Sequence, residues 1–414
     1  MFSNAVIRRP RPGGEGVVRR AARPWQAVAA ATFAIAWGGN EFTPLLVMYR
    51  GQTGFSPLTV DLLLFAYVFG IVPALLIGGA LSDRLGRRAL MLPAPLLAAA
   101  GSTILALGQD SALTLAVGRV FSGLALGLAM AVGGSWIKEL SGPPWDDGGG
   151  GARRAAMSLT AGFGLGAGVA GMLAQWAPAP TVLPYVVNVV LALAAAAVLT
   201  AVPETRERLT VVRPHWRDVW ADLAVPVRLR RRFLCVVVPV APWVFGAGAS
   251  AYAVLPALMA ERAAAAPIAF SGLLCVVTLG VGFTVQHLAR RMGGGPRTAL
   301  VLLVAGMATA AWAATALTIA SALLAAAVLG AGYGMAMLAG LQEIQRMAGP
   351  DDLAGLTAVF YSVSYLGFAV PAALAFLVGR SPDLLSYPVM FVVGALAALA
   401  CLLVVVLGSR RGRQ

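Results

Sequence analysis

Twelve apolar runs, each about as long as a bilayer is thick, dominate this chain. They fall at approximately 25–49, 58–80, 89–108, 112–136, 155–176, 182–202, 233–259, 266–287, 298–316, 319–341, 354–377 and 386–408. A membrane-crossing helix needs about 20 apolar residues, whereas a barrel strand would alternate apolar and polar positions, which these runs do not. The expectation is an all-α integral membrane protein with twelve transmembrane helices. Only 12% of the residues are charged, about half of what a soluble fold uses to cover its surface. The first run is longer than a signal-peptide core and is read as an uncleaved helix.

A formal charge of +14 would suggest nucleic acid in a soluble protein, but its distribution points elsewhere. Assigned to alternate connections, 27 basic residues fall on one side and three, Arg50, Arg262 and Arg380, on the other. By the positive-inside rule both termini are expected in the cytoplasm, in a multi-pass plasma-membrane protein, and no nucleic-acid partner is implied. Arg119 is left over, inside a run. The one long polar connection divides the runs six and six. The expected organisation is a cytoplasmic tail (1–24), a six-helix bundle (25–202), a linker (203–232), a second six-helix bundle (233–408) and a short tail (409–414). Within the linker, Trp216, Val219, Trp220 and Leu223 follow helical spacing, which fits an amphipathic helix on the membrane surface or a soluble linker helix.

The halves echo each other. Leu81 to Gly86 matches Leu288 to Gly293 at an offset of 207, and at the same offset Gly123 and Gly127 meet Gly330 and Gly334. Two pseudo-symmetric bundles follow, with the ligand site between them near the midplane.

The segment Gly79-Ala80-Leu81-Ser82-Asp83-Arg84-Leu85-Gly86-Arg87-Arg88 is the most specific motif. Asp83 would sit at a helix C-terminus, where the macrodipole opposes a carboxylate, so an arginine or another helix's N-terminus should compensate it. Gly79 would let a second helix approach closely. This segment resembles the signature loop of the major facilitator superfamily (MFS) at every position, and Pro203-Glu204-Thr205-Arg206 is similar to a common family ending. The resemblance implies an MFS fold and a cytoplasmic gate, formed by Gly79, Asp83, Arg84, Gly86, Arg87 and Arg88, that latches the halves together. The second copy has Arg290 in place of Asp83, so a symmetric latch is not expected.

Two deeply placed charges stand out. Arg119, in Gly118-Arg119-Val120-Phe121-Ser122-Gly123, is costly in an apolar run unless it faces a wet cavity, meets an anion or snorkels. The pattern is similar to a fourth-helix motif of the family associated with proton coupling. Glu41, in Asn40-Glu41-Phe42-Thr43-Pro44, can serve as a proton carrier, a structural ion pair or a counter-charge for a cationic substrate. A pairing with Arg119 is geometrically plausible. Gly162, Gly166 and Gly171 resemble the family's antiporter motif, but Ala167 stands where that motif has proline and Ala170 where it has glycine. Taken alone, their spacing means close helix packing. Asn40, Trp243, Tyr252, Tyr361 and Tyr365 are cavity candidates suited to an amphipathic or cationic compound, or else interfacial anchors, with Pro371 as a kink.

Enzyme chemistry finds no support. His215 and His287 lie at or beyond the boundary, and Cys235, Cys275 and Cys401 lack metal-ligand spacing. No cofactor or metal is expected. The reading is a secondary active transporter, monomeric in the lipid bilayer, exporting small amphipathic compounds against protons as drug/proton antiporters do. Uptake of a small metabolite, or a non-transporting sensor on the same fold, are the alternatives.

Overall fold

The computed structural model describes residues 23–52, 54–146, 150–206, 223, 225–292, 294–349, 352–381 and 384–410. Among these there are helices and connections and no strands. The first half comprises α1 (Trp25–Asn40), α2 (Phe42–Gln52), α3 (Pro57–Leu85), α4 (Arg87–Leu107), α5 (Ala112–Leu140), α6 (Gly151–Trp176) and α7 (Leu183–Leu199). The second comprises α8 (Val227–Leu258), α9 (Pro267–Ala289), α10 (Pro296–Ala316), α11 (Ile319–Met347), α12 (Leu353–Arg380) and α13 (Tyr387–Gly408). Ten of these helices are long and apolar enough to cross a membrane. The three others, α1, α2 and α7, lie on the remaining two expected runs. Of the amphipathic stretch expected from Trp216 to Leu223, all but Leu223 lies outside the described residues.

Local chemistry explains the ends and the breaks. Ser56 precedes Pro57 and caps α3 by accepting from the Thr59 amide, and Ser111 caps α5 through the Thr114 amide. Thr318 and Ser321 form a reciprocal capping pair at the start of α11. Between α1 and α2 the helix is interrupted at Glu41, because Pro44 has no amide to give the Asn40 carbonyl and Gly38-Gly39 are poor helix formers. In α12 a short 3₁₀ segment, Leu366–Phe368, precedes Pro371. There the missing amide frees the Gly367 carbonyl, and the expected kink is placed one turn upstream.

Packing repeats between the halves. A Cβ added to Gly123 of α5 would lie 2.1 Å from the Tyr67 carbonyl of α3, and one on Gly330 of α11 would lie 2.4 Å from the Thr278 carbonyl of α9. Equivalent glycines thus seat equivalent helix pairs. Helix α11 is central, with 67% of its most apolar window buried, and α13 is peripheral at 17%. Large side chains such as Leu396 and Leu403 project outward from α13, as a lipid-facing helix requires. The halves meet along α6 with α9, α2 with α9, and α3 with α12.

Candidate functional site

A cavity of about 180 Å³ lies between the halves. Its wall includes Asn40 and Arg119 from the first half and Tyr252, Tyr361 and Tyr365 from the second. Five of the seven cavity candidates therefore converge. Trp243 does not line it, and neither does Glu41, which sits behind the wall. Ala156, near the start of α6, and Leu341, near the end of α11, also contribute, so the cavity runs from mid-span toward the end that carries Asp83.

Several lining residues carried no sequence signal beyond being aromatic. Phe245 stacks on Tyr365 at 4.2 Å and on Phe368 at 5.0 Å between ring centroids, and Tyr67 meets Tyr365 edge-on at 6.3 Å. The Tyr365 hydroxyl donates to the Met130 sulfur at 3.2 Å. This aromatic floor joins the halves at mid-depth.

Arg119 is fully buried, and its guanidinium lies 4.7 Å from the Phe42 ring centre and 4.5 Å from that of Tyr67. Its Nη1 donates to the Gly39 carbonyl at 3.4 Å. Two aromatic faces and a carbonyl thus hold a cation that an apolar run would otherwise reject. Arg119 and Glu41 form no ion pair within 4.0 Å among the described residues, so the direct pairing suggested by the sequence is replaced by this cage.

Glu41 belongs to a separate buried network. The Ser102 hydroxyl lies 2.8 Å from Glu41 Oε1 and 2.8 Å from Asn188 Oδ1. Asn188 is oriented by its own Nδ2, which donates to the Ala34 carbonyl at 2.7 Å. A serine hydroxyl has one proton to donate, so two acceptors at this distance need a second. A proton on Glu41 would supply it, the carboxyl then donating to Ser102 and Ser102 to Asn188. The other carboxyl oxygen, Oε2, is buried without a hydrogen-bond partner. Ser102 and Asn188 were both hidden in apolar runs, where single polar residues give no sequence signal.

The signature segment forms a clasp within the first half. Asp83 pairs with Arg87 at 2.9 Å and with Arg206 at 3.6 Å, and Arg87 pairs with Glu139 at 3.0 Å. The Glu204 carboxylate accepts from the amides of Arg87 and Arg88 at 2.9 Å each, and from those of Thr205 and Arg206. Partial burial opposes its ionisation, but these four amides outweigh it and hold the carboxyl below its ordinary range. Gly86 has φ +94°, and a Cβ there would lie 2.4 Å from the same carboxylate. Arg88 reaches the Thr200 carbonyl at 2.5 Å. A Cβ on Gly79 would meet nothing within 4 Å, so no close helix approach is made at that residue in this structure. The pairs of Asp83 and Arg87 thus run to Glu139 and to Arg206 just beyond the sixth run, on the first half's side of the molecule.

The opposite end is tied across the halves by residues the sequence did not single out. Arg50 pairs with the buried Asp61 of α3 and donates through Nη1 to the Ala253 carbonyl of α8 at 3.1 Å. Gln175 at the end of α6 accepts from the Ile268 and Ala269 amides at 2.9 and 3.4 Å, capping α9. The antiporter-like glycines are packing points. Gly162 and Gly166 admit α1, where a Cβ would lie 2.5 Å from the Phe33 carbonyl and 2.6 Å from that of Trp37, and Gly171 faces Gly272 of α9.

A cavity between two pseudo-symmetric helical halves that are tied together at one end is the architecture of a secondary transporter. Residues 28–372 match the Major Facilitator Superfamily, and the chain belongs to it. Among solved structures it is similar to a mutant of the nucleoside transporter NupG, with a TM-score of 0.72 at 10% identity over 93% of this chain and 99% of that one. It is also similar to a mutant of a peptide transporter POT in complex with sulfate, with a TM-score of 0.71 at 16% identity over 97% and 96%. At such identities the likeness is one of fold. Among curated proteins, the arabinose-proton symporter of Bacillus subtilis (strain 168) is 35% identical over 88 residues, so the match spans 21% of this chain and 19% of the symporter.

Proposed function

We propose that the protein exports small amphipathic compounds in exchange for protons by alternating access, with Glu41 carrying the proton. The observation that carries this reading is the hydrogen count at Ser102: the Glu41–Ser102–Asn188 chain is complete with a proton on Glu41 and incomplete without one. Because Glu41 has no salt bridge within 4.0 Å among the described residues, its charge can change without breaking an ion pair. The network abuts the helix break beside Asn40, whose Nδ2 donates to the Phe163 carbonyl of α6. Proton binding is thereby linked to the wall of the cavity.

Among the cavity's lining residues the one formal charge is Arg119. That favours a neutral or anionic amphipathic substrate over the cationic one considered from sequence, with ring faces supplying apolar contact. The basic asymmetry of the connections supports cytoplasmic termini, so the cavity opens inward. In the cycle, the 25–202 bundle rocks against the 233–408 bundle, the ties at Arg50 and Gln175 release, and the open side of Gly79 receives the second half. The chain acts as a monomer in the plasma membrane. The spaced glycines of α6 support efflux, whereas the short match to a proton symporter supports the second reading, proton-coupled uptake of a small metabolite.

Inverted vesicles with an imposed pH gradient test direction and coupling together. An acidic lumen should drive accumulation of amphipathic probes by the wild-type protein and not by Glu41→Gln, which should still fold and bind. Difference infrared spectra should show a protonated-carboxyl stretch that Glu41→Gln removes. Uphill transport by Glu41→Gln would exclude Glu41 as the carrier, and probe movement only down the proton gradient would select uptake.

A further inference from the structure

The two halves treat the start of their third helix differently. In the first, the Glu204 carboxylate closes on the amides that open α4. The 207-residue offset carries Arg88 to Gly295 and Glu204 to Arg411, so the second half has an arginine in sequence where the first has its acid. Helix α10 starts from Gly295 without any side-chain cap. Where the first half has a carboxylate, a cavity of about 660 Å³ lies beside this helix start.

The cavity's walls carry four guanidiniums, from Arg228, Arg231, Arg232 and Arg297, against one carboxylate, Glu343. Glu343 is engaged by Arg232 at 2.5 Å and Arg346 at 3.7 Å, and Arg228 is paired with Asp352 at 2.6 Å. Among the described residues Arg231 has no acidic partner within 4.0 Å. The inner side is apolar, formed by Val236 and Val405 with Cys235. The start of α8, the start of α10 and the end of α13 meet here, at the boundary of the membrane-spanning region.

We propose that this cavity binds the phosphate of an anionic phospholipid headgroup. Phosphate matches the planar fork of arginine and a helix start that no side chain caps. The first half shows the same kind of helix start already closed by an anion of its own. The apolar inner side distinguishes a lipid from free phosphate, since it gives the acyl chains a path along α8 and α13.

The test is thermal unfolding and native mass spectrometry of the full chain in detergent, with short-chain phosphatidylglycerol, short-chain phosphatidylcholine or inorganic phosphate added. Phosphatidylglycerol should raise the unfolding midpoint saturably and bind roughly tenfold more tightly than phosphatidylcholine, and Arg231→Gln should lose most of that shift. Gly295→Asp is the second variant. Gly295 is extended and a Cβ on it meets nothing within 4 Å, so the carboxylate would cap α10 as Glu204 caps α4. It should abolish the lipid shift with every arginine in place and with the variant's own midpoint undiminished. Equal shifts from phosphatidylcholine, or an unchanged phosphatidylglycerol shift in Gly295→Asp, would overturn the proposal. Inorganic phosphate that reproduces the shift and displaces the lipid would assign the site to free phosphate instead.

Discussion

Ser102 shows how much a single hydroxyl can decide in a dry interior. It has one proton and two acceptors at 2.8 Å, so removing it affects both Glu41 and Asn188. Ser102→Ala should cost about 1–3 kcal/mol, because it leaves the buried Glu41 carboxyl and the Asn188 amide oxygen each without a partner there, and a lowered unfolding temperature would show it. The same variant should slow proton-driven exchange more than substrate-driven counterflow, since the latter needs no change in the proton on Glu41. Equal slowing of both would make Ser102 a packing residue. Glu41 and Arg119 were legible in the sequence because a charge in an apolar run is conspicuous. Their separation was not, because the caging of Arg119 by Phe42 and Tyr67 depends on the approach of α2, α3 and α5. Asp61 escaped notice for a different reason: it lies close to the start of its run, where an acid passes for a boundary residue.

At the scale of elements, the start of α4 makes a pH prediction. The Glu204 carboxyl titrates lower in the folded protein than in the unfolded chain. Its stabilising contribution is therefore present above the ordinary glutamate range and is lost as pH falls through the folded value. Glu204→Gln should lower the unfolding midpoint at neutral pH, and the difference from wild type should vanish in acid. A constant difference across that range would point to lost packing instead. The contact of α1 with α6 makes another prediction. Gly166→Val inserts a branched side chain where even a Cβ lies 2.6 Å from the Trp37 carbonyl, and overpacking of this kind costs about 1–3 kcal/mol. The loss would appear in thermal unfolding of the purified protein. The sequence announced both elements, through the family-like ending at Glu204 and the spaced glycines of α6. It did not announce their targets, because an acid's amide partners and a glycine's facing backbone come from distant parts of the chain.

For the whole molecule, the decisive asymmetry is between its two ends. The Arg50 end carries ties that cross between the halves, while at the other end the ion pairs of Asp83 with Arg87 and of Glu343 with Arg232 each stay within one half. Charge-assisted hydrogen bonds contribute about 1.5–3 kcal/mol, so Asp61→Asn should shift the molecule toward opening at the Arg50 end. With a thiol placed at Thr43 in the cavity wall, labelling by an impermeant reagent from that end should quicken about tenfold or more. An unchanged rate would remove Arg50 and Asp61 from the gate. The tie to the second half has one more consequence. Its acceptor at position 253 is main chain, shared by every amino acid, so the second half can vary its side chain there without loosening the gate. Inheritance of this closure rests on one codon for Arg50 and one for Asp61, and a search for second-site revertants of Asp61 variants should recover changes at Arg50 and leave Ala253 untouched.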